Sequence, residues 1–193
     1  MNYPATFELE APLQIARWRP LVNWLMAIPH MIIAQALNYA TQFVAVIAWF
    51  AILFTGKLPV GLGNFMAMSV RYGERAYTFA GYLYEDYPPF GFDMQGADPG
   101  GSPVISNFDI AFENRNRLTV AFRIILAIPA LLFVAVVGIV AAILWVISFF
   151  AILFTGAWPQ GMRDFVLKSM RLSHRVNAYM FLLTDEYPPF SLD

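Results

Sequence analysis

The hexapeptide AILFTG occupies residues 51–56 and recurs, letter for letter, at residues 151–156. A second motif, YPPF, repeats with the same spacing, at residues 87–90 and 187–190. Two unrelated motifs that recur at a single offset indicate an internal repeat, in which one structural unit is built twice. The sequence therefore predicts two copies of one fold in tandem.

The repeat extends toward the amino terminus, where Arg17 and Arg117 and two Ala-Ile-Pro tripeptides keep the same register. Between the copies, the chain is rich in Gly, Pro and Asp, which is typical of a loop. We predict a first repeat over residues 1–93, a linker over residues 94–103 and a second repeat over residues 104–193.

The composition differs from that of a water-soluble domain. Hydrophobic residues make up 59% of the chain and charged residues 13%, against roughly 45–50% and about 25% in soluble proteins. The mean hydropathy is +0.57. We therefore expect an all-α integral membrane protein that contacts membrane lipids. The net charge of −1 argues against a nucleic-acid partner, and the lack of cysteine excludes disulfides and thiolate metal sites.

Each repeat contains one long apolar run. Residues 21–54 hold no acidic or basic side chain apart from His30, and residues 124–156 hold none. Because about 20 residues cross a bilayer, each run is long for a single span. We predict a transmembrane hairpin of two helices in each repeat, with turns near Asn38 and Gly138.

The hairpin hypothesis has a consequence for charge. It places all 12 Lys and Arg residues on one side of the membrane, which is an extreme form of the positive-inside pattern. It predicts a multi-pass membrane protein with four spans and both termini in the cytoplasm. The two repeats would then be related by a pseudo-twofold axis along the membrane normal.

A segment with apolar residues at helical spacing follows each predicted hairpin. We predict an amphipathic helix there, lying in the membrane interface. Its paired arginines are candidates for contact with lipid headgroups or a partner, and pairing with the carboxylate doublets at residues 85–86 and 185–186 is an alternative. These candidates are Arg71, Arg75, Arg171 and Arg175.

Two short stretches alternate apolar and polar residues, which is typical of strands. They are Thr6–Glu10 and Asn107–Glu113, and they predict one short cytoplasmic strand in each repeat. Pairing of the two strands across the pseudo-twofold axis would link the repeats.

Polar side chains distinguish the first apolar run from the second. His30, Gln35 and Asn38 correspond to Ala130, Ala135 and Gly138. Polar groups inside a membrane segment usually face protein or a cavity. They could form hydrogen bonds between helices, contact a partner subunit, or bind a lipid or cofactor. We infer that one repeat faces lipid and the other faces protein.

No constellation of residues predicts catalysis. The two histidines, His30 and His174, lack ligand partners at metal spacing, and no nucleophile, phosphate-loop or dinucleotide motif occurs. We expect no catalytic residues, no metal and no cofactor.

The order of motifs resembles a known family. An arginine, Ala-Ile-Pro, AILFTG, Pro-x-Gly, Arg-x-x-x-Arg and an acidic doublet before YPPF resemble the bacterial membrane proteins grouped as domain of unknown function 4389. The resemblance supplies no activity. We expect a non-enzymatic accessory or scaffold subunit that binds other integral membrane subunits or a second copy of itself. The alternative is a carrier or channel for lipids or small hydrophobic molecules.

Overall fold

A computed structural model describes residues 3–192. The outermost residues of the predicted repeats, 1, 2 and 193, lie outside the described residues. Each repeat contains a strand, a short helix, a long apolar helix and a helix of 21 residues. In chain order the elements are β1 (Ala5–Leu9), α1 (Arg19–Met26), α2 (Ile28–Thr55), α3 (Val60–Ala80), β2 (Val104–Phe108), α4 (Arg117–Ala121), α5 (Arg123–Thr155) and α6 (Gln160–Met180).

The long apolar runs are single helices, so the predicted hairpins are wrong. Helix α2 continues through Asn38 for 28 residues, and α5 continues through Gly138 for 33 residues. A lone glycine costs a helix only about 1 kcal/mol, and neither predicted turn contains the proline or the cap that would end a helix. The described residues therefore contain two helices long and apolar enough to cross a membrane, rather than four spans.

The AILFTG motif specifies where each long helix ends. Gly56 and Gly156 adopt left-handed φ angles of 73° and 75°, and each donates its N–H to the carbonyl four residues earlier at 2.8 Å. Glycine takes this conformation without the steric cost that a Cβ would impose. A Cβ on Gly56 would also lie 3.2 Å from Nε of Arg117. The glycine therefore both stops the helix and admits an arginine from the other repeat.

Helices α3 and α6 lie in the core, which corrects the prediction of amphipathic interfacial helices. Helix α3 runs antiparallel to α2 along its whole length, because Phe79 packs with Ala27 at one end and Met66 packs with Ile52 at the other. Helix α6 accompanies α5 in the same way. The apolar stripe that suggested a membrane surface is instead covered by the neighbouring long helix and by core residues of both repeats.

The two strands form an antiparallel ribbon, as expected. The register runs from the Ala5–Phe108 pair to the Leu9–Val104 pair, so β2 begins three residues earlier than predicted. The ribbon packs on α3 and α6. Helix α2 packs on α3, and helix α5 packs on α6. Helices α3 and α6 therefore separate the ribbon from the long apolar helices.

A pseudo-twofold axis relates the repeats. It passes through the centre of the ribbon, where Phe7 pairs with Ser106. It also passes between Glu74 and His174, which hold the same position in the two repeats and contact each other at 2.7 Å. Gly156, which ends α5, lies against Arg17, just as Gly56 lies against Arg117. The carboxyl end of each long helix thus meets the segment leading into the other, so α2 and α5 run in opposite directions.

Candidate functional site

The exposed sides of α2 and α5 form what we call the apolar face. In the most apolar 18-residue window of each helix, only 17% of α2 and 11% of α5 is buried, and the mean hydropathy is 1.7 and 3.0. The core helix of a soluble protein would be mostly buried. The most exposed large side chains on this face include Phe43, Phe54, Ile124 and Phe154.

His30 lies inside the protein, beneath the YPPF motif. It is 1% exposed, and its Nδ1 shares a hydrogen bond of 2.8 Å with the Tyr72 hydroxyl of α3. Its ring stacks on Phe90 with 4.1 Å between centroids, and Tyr87 packs beside it. The YPPF aromatics therefore fold back over the start of α2. Of the roles left open by the sequence, the structure places His30 in a hydrogen bond between helices.

Gln35 and Asn38 do not join His30. Gln35 is exposed on the apolar face, in a shallow depression of about 530 Å³ with Ile32 and Tyr39. Asn38 turns toward α3 and lines a separate recess of about 190 Å³ with Thr41, whose buried hydroxyl has no partner among the described residues. A polar recess of this size is suited to ordered water. The three polar residues of α2 therefore have three different surroundings.

Arg71 and Arg75 are bound by the linker between the repeats. They are 3% and 4% exposed. Arg71 donates to the carbonyls of Ser106 at 3.0 Å and Gly96 at 2.7 Å, and Arg75 donates to the Asp98 carboxylate at 2.7 Å. Neither guanidinium is available to a lipid headgroup in this arrangement. Their carboxylate partner is Asp98, which the sequence analysis had assigned only to a loop.

The equivalent arginines of the second repeat hold the first strand and the carboxyl-terminal segment. Arg171 donates to the Phe7 carbonyl at 3.1 Å and pairs with Glu8 at 2.6 Å, with 31% of its side chain exposed. Arg175 is 8% exposed and donates to the Ser191 carbonyl at 2.8 Å. Helix α6 is therefore fastened to the strand of the first repeat and to the carboxyl-terminal segment of its own repeat.

A cluster that the sequence analysis missed surrounds Asp185. Arg115 grips its carboxylate with two hydrogen bonds of 3.0 and 2.6 Å, and Arg123 reaches the same carboxylate while lying over the Tyr179 ring. Burial alone raises the pKa of Asp185, but hydrogen bonds from Arg115 and the Asn116 N–H, with the two arginine charges, hold the pKa below its ordinary value. The acidic doublet therefore binds these arginines rather than Arg171 or Arg175.

The corresponding position in the first repeat is open. Glu85 accepts the Ala16 N–H at 2.5 Å, and Arg19 approaches it only to 3.8 Å. Beside it lies a cleft of about 550 Å³ whose charged lining groups are Glu10, Glu85, Asp86 and Arg17. We call this the acidic cleft. A comparison of Ile15 and Asn23 with Arg115 and Arg123 was the sequence signal that could have found it.

Within residues 3–192, no group of three or more His, Asp or Glu side chains is arranged to hold a metal ion.

The matched boundaries identify the family. A sequence profile described as Domain of unknown function (DUF4389) matches residues 17–91 and, separately, residues 117–191. The chain belongs to the DUF4389 family. Each DUF4389 match begins at the arginine that lies on the other repeat's helix-ending glycine, and it ends just after YPPF. The two strands and the whole linker lie outside the matches. No curated protein and no solved structure matches the chain.

Proposed function

We propose that this DUF4389 protein is an accessory or scaffold subunit of the bacterial inner membrane, which binds partner proteins and catalyses no reaction. The observation that carries the proposal is the apolar face, where two long helices expose apolar side chains along their length. Water would penalise this surface by roughly 25 cal/mol for each Å² of apolar area. A lipid environment removes that penalty.

The geometry favours α2 and α5 lying in the plane of one leaflet, in place of the four-span topology. They run in opposite directions across the pseudo-twofold axis, so that axis lies along the membrane normal if the helices lie flat. Spanning helices would instead place the axis in the membrane plane and the ribbon at the bilayer centre. There Glu8, with 56% of its side chain exposed, would cost about 2.5–3.5 kcal/mol or more.

The buried charges support a structural rather than a catalytic role. Arg71, Arg75 and Asp98 fasten the linker to α3, and Arg115 and Arg123 fasten Asp185. Each set is paired within the chain, which supports a role in holding the fold together. The carrier alternative is less well supported, because the depression beside Gln35 is shallow and open rather than a cavity that would enclose a lipid.

Cysteine labelling tests the membrane arrangement without background, since the chain contains no cysteine. Single-cysteine variants W18C and K57C place thiols at the two ends of the α1–α2 segment, and E8C places one on the ribbon. We expect a membrane-impermeant maleimide to label all three from one side of oriented vesicles. F43C on the apolar face is the matched control and should stay protected. Labelling of W18C and K57C from opposite sides of the vesicle membrane would show that α2 spans the membrane.

The accessory role is tested by extraction in mild detergent followed by native mass spectrometry. We expect the protein to be retained by membranes after an alkaline wash and to be recovered with at least one other polypeptide. Recovery of free monomer alone would contradict the scaffold role, and release by the alkaline wash would contradict membrane anchoring.

A further inference from the structure

The two repeats place a carboxylate at the same point of the same backbone. Ile15 donates its N–H to the Gly156 carbonyl at 2.9 Å, and Arg115 donates its N–H to the Gly56 carbonyl at 3.0 Å. The next N–H binds the carboxylate in each repeat, from Ala16 to Glu85 and from Asn116 to Asp185. Ile15 and Arg115 are therefore structurally equivalent positions, and so are Glu85 and Asp185.

In the second repeat, this carboxylate is a guanidinium-binding site. Asp185 accepts two hydrogen bonds from Arg115 and another from Arg123, in the two-pronged geometry that matches a planar guanidinium to a carboxylate. Arg115 is 5% exposed, so its side chain fills the space beside the carboxylate. The second repeat thus supplies its own occupant.

In the first repeat, no arginine stands at either equivalent position, and other side chains make the backbone contacts that Arg115 and Arg123 make in the second repeat. Asn23 stands where Arg123 stands, and its amide reaches the carbonyls of Phe79 at 3.1 Å and Tyr84 at 3.5 Å but not the carboxylate. The Trp158 indole donates to the Tyr82 carbonyl at 2.9 Å, just as Arg115 donates to Leu182. The carbonyls are satisfied, whereas Glu85 lacks the counterparts of both arginines and keeps only an ion pair of 3.8 Å with Arg19.

The lost partners leave accessible space rather than a collapsed core. The acidic cleft has a volume of about 550 Å³ and carries three carboxylates against one lining cation, Arg17. Arg17 rests on Gly156 at the carboxyl end of α5, where a cation is favoured by the helix dipole. The Glu85 side chain is 38% exposed. A cation arriving from solvent can therefore reach Glu85, with Glu10 and Asp86 adding favourable charge.

We infer that the acidic cleft binds the guanidinium group of an arginine side chain on a partner protein, so that the partner supplies what Arg115 supplies in the second repeat. The inference rests on the proposed scaffold role and identifies its recognition site. Arginine is favoured over lysine because the equivalent carboxylate in the same fold accepts a two-pronged contact, which an ammonium group cannot make.

A titration of the full-length protein in detergent micelles tests the site. The probes are N-methylguanidinium and the tripeptide amide Gly-Arg-Gly, and the readout is the NMR shift of the Ala16 amide, whose hydrogen is held by Glu85. We expect a saturable shift, with E85Q weakening the affinity about tenfold or more because a charge-assisted hydrogen bond is lost. An unchanged affinity in E85Q would overturn the inference, as would the absence of any shift.

A repeat-exchange variant gives a second, independent result. I15R/N23R provides the first repeat with the arginines of the second, and we expect its internal guanidinium groups to block the probes. E10Q changes another carboxylate of the cleft and should weaken binding less than E85Q. This comparison still tests the site if the double variant does not fold. Full probe binding by a folded I15R/N23R protein would contradict the assigned position.

Two further measurements distinguish a lipid headgroup from a partner arginine as the source of the cation, and the acidic-cleft inference from the membrane proposal. Glycerophosphoethanolamine carries the ammonium headgroup of a common lipid, and tighter binding of it than of Gly-Arg-Gly would overturn the partner-arginine assignment. Membrane retention of E85Q is measured in parallel. If E85Q loses probe binding but stays in the membrane, the result supports the acidic-cleft inference and leaves the membrane proposal unchanged. If the unaltered protein is not retained by membranes, the membrane proposal is contradicted.

Discussion

The two repeats share a backbone but treat one carboxylate in opposite ways. In the second repeat, Asp185 is closed by Arg115 and Arg123 from its own chain. In the first repeat, the equivalent Glu85 has one backbone donor and a distant Arg19. The difference shows what duplication permits, because one copy can hold the fold together while the other leaves the same site open for recognition.

The first test of this comparison, with the largest expected effect, removes one arginine from each repeat. R115A leaves the half-buried Asp185 and the buried Arg123 with an incomplete set of partners, and we expect a loss of about 3 kcal/mol in the free energy of unfolding. R19A removes a longer contact to a carboxylate that is 38% exposed, and we expect about 0–1 kcal/mol. Denaturant unfolding in detergent, followed by circular dichroism, measures both. Equal losses would show that the repeats are fastened alike.

The second test exchanges the residues beneath the two YPPF motifs. H30A removes a ring that stacks on Phe90 and leaves the buried Tyr72 hydroxyl unpaired, so we expect a loss of about 2 kcal/mol. A130H places a histidine where the second repeat has no tyrosine to receive it, since Leu172 replaces Tyr72. We therefore expect the reverse change to destabilise as well, by about 1–3 kcal/mol. Thermal unfolding measures both, and a stabilised A130H would contradict the assignment.

The third test compares the two helix-ending glycines. G56A and G156A both force a Cβ into a left-handed conformation, which costs about 1–2 kcal/mol. The new Cβ would lie 3.2 Å from Arg117 in the first case and 3.6 Å from Arg17 in the second. We expect G56A to lose more stability than G156A, in the same unfolding assay. The opposite order would mean that the arginines move freely off the glycines.

The smallest difference concerns acid. The pKa of Asp185 is lowered by its arginine partners, so its stabilisation is present above the ordinary aspartate pKa of about 4 and is lost as the pH falls through the lowered value. We expect the unfolding temperature of the unaltered protein to fall steeply as the pH is lowered below the ordinary aspartate pKa. D185N should lack this part of the acid limb, whereas E85Q should keep it. Parallel curves for all three proteins would contradict the role of Asp185.

The contrast between the long helices also bears on function. Helix α5 has the higher mean hydropathy, 3.0 against 1.7 for α2, and Gln35 interrupts the apolar face of α2 alone. The sequence prediction that one repeat faces lipid and the other faces protein thus remains a prediction, and the proposed arginine site lies on the first repeat.

Errors in the sequence analysis came from asking what one segment does without knowing its neighbours. Length and the one-sided placement of Lys and Arg suggested that residues 124–156 fold into a hairpin, but Gly138 alone, without a proline or a cap, does not end a helix. Helix α3 does carry the apolar stripe that its sequence predicts. A stripe does not say whether lipid or another helix covers it, and α2 covers much of this one.

The sequence by itself determined the duplication, the family and the two long apolar runs, because each of these is written in local residues or in repetition. Tertiary structure decided which partners the charges have. Arg115 and Asp185 lie 70 positions apart, Arg71 is bound by a linker that looked merely flexible, and the cleft beside Glu85 exists because Ile15 and Asn23 are shorter than their counterparts. Such contacts depend on how distant segments meet, which no local pattern specifies.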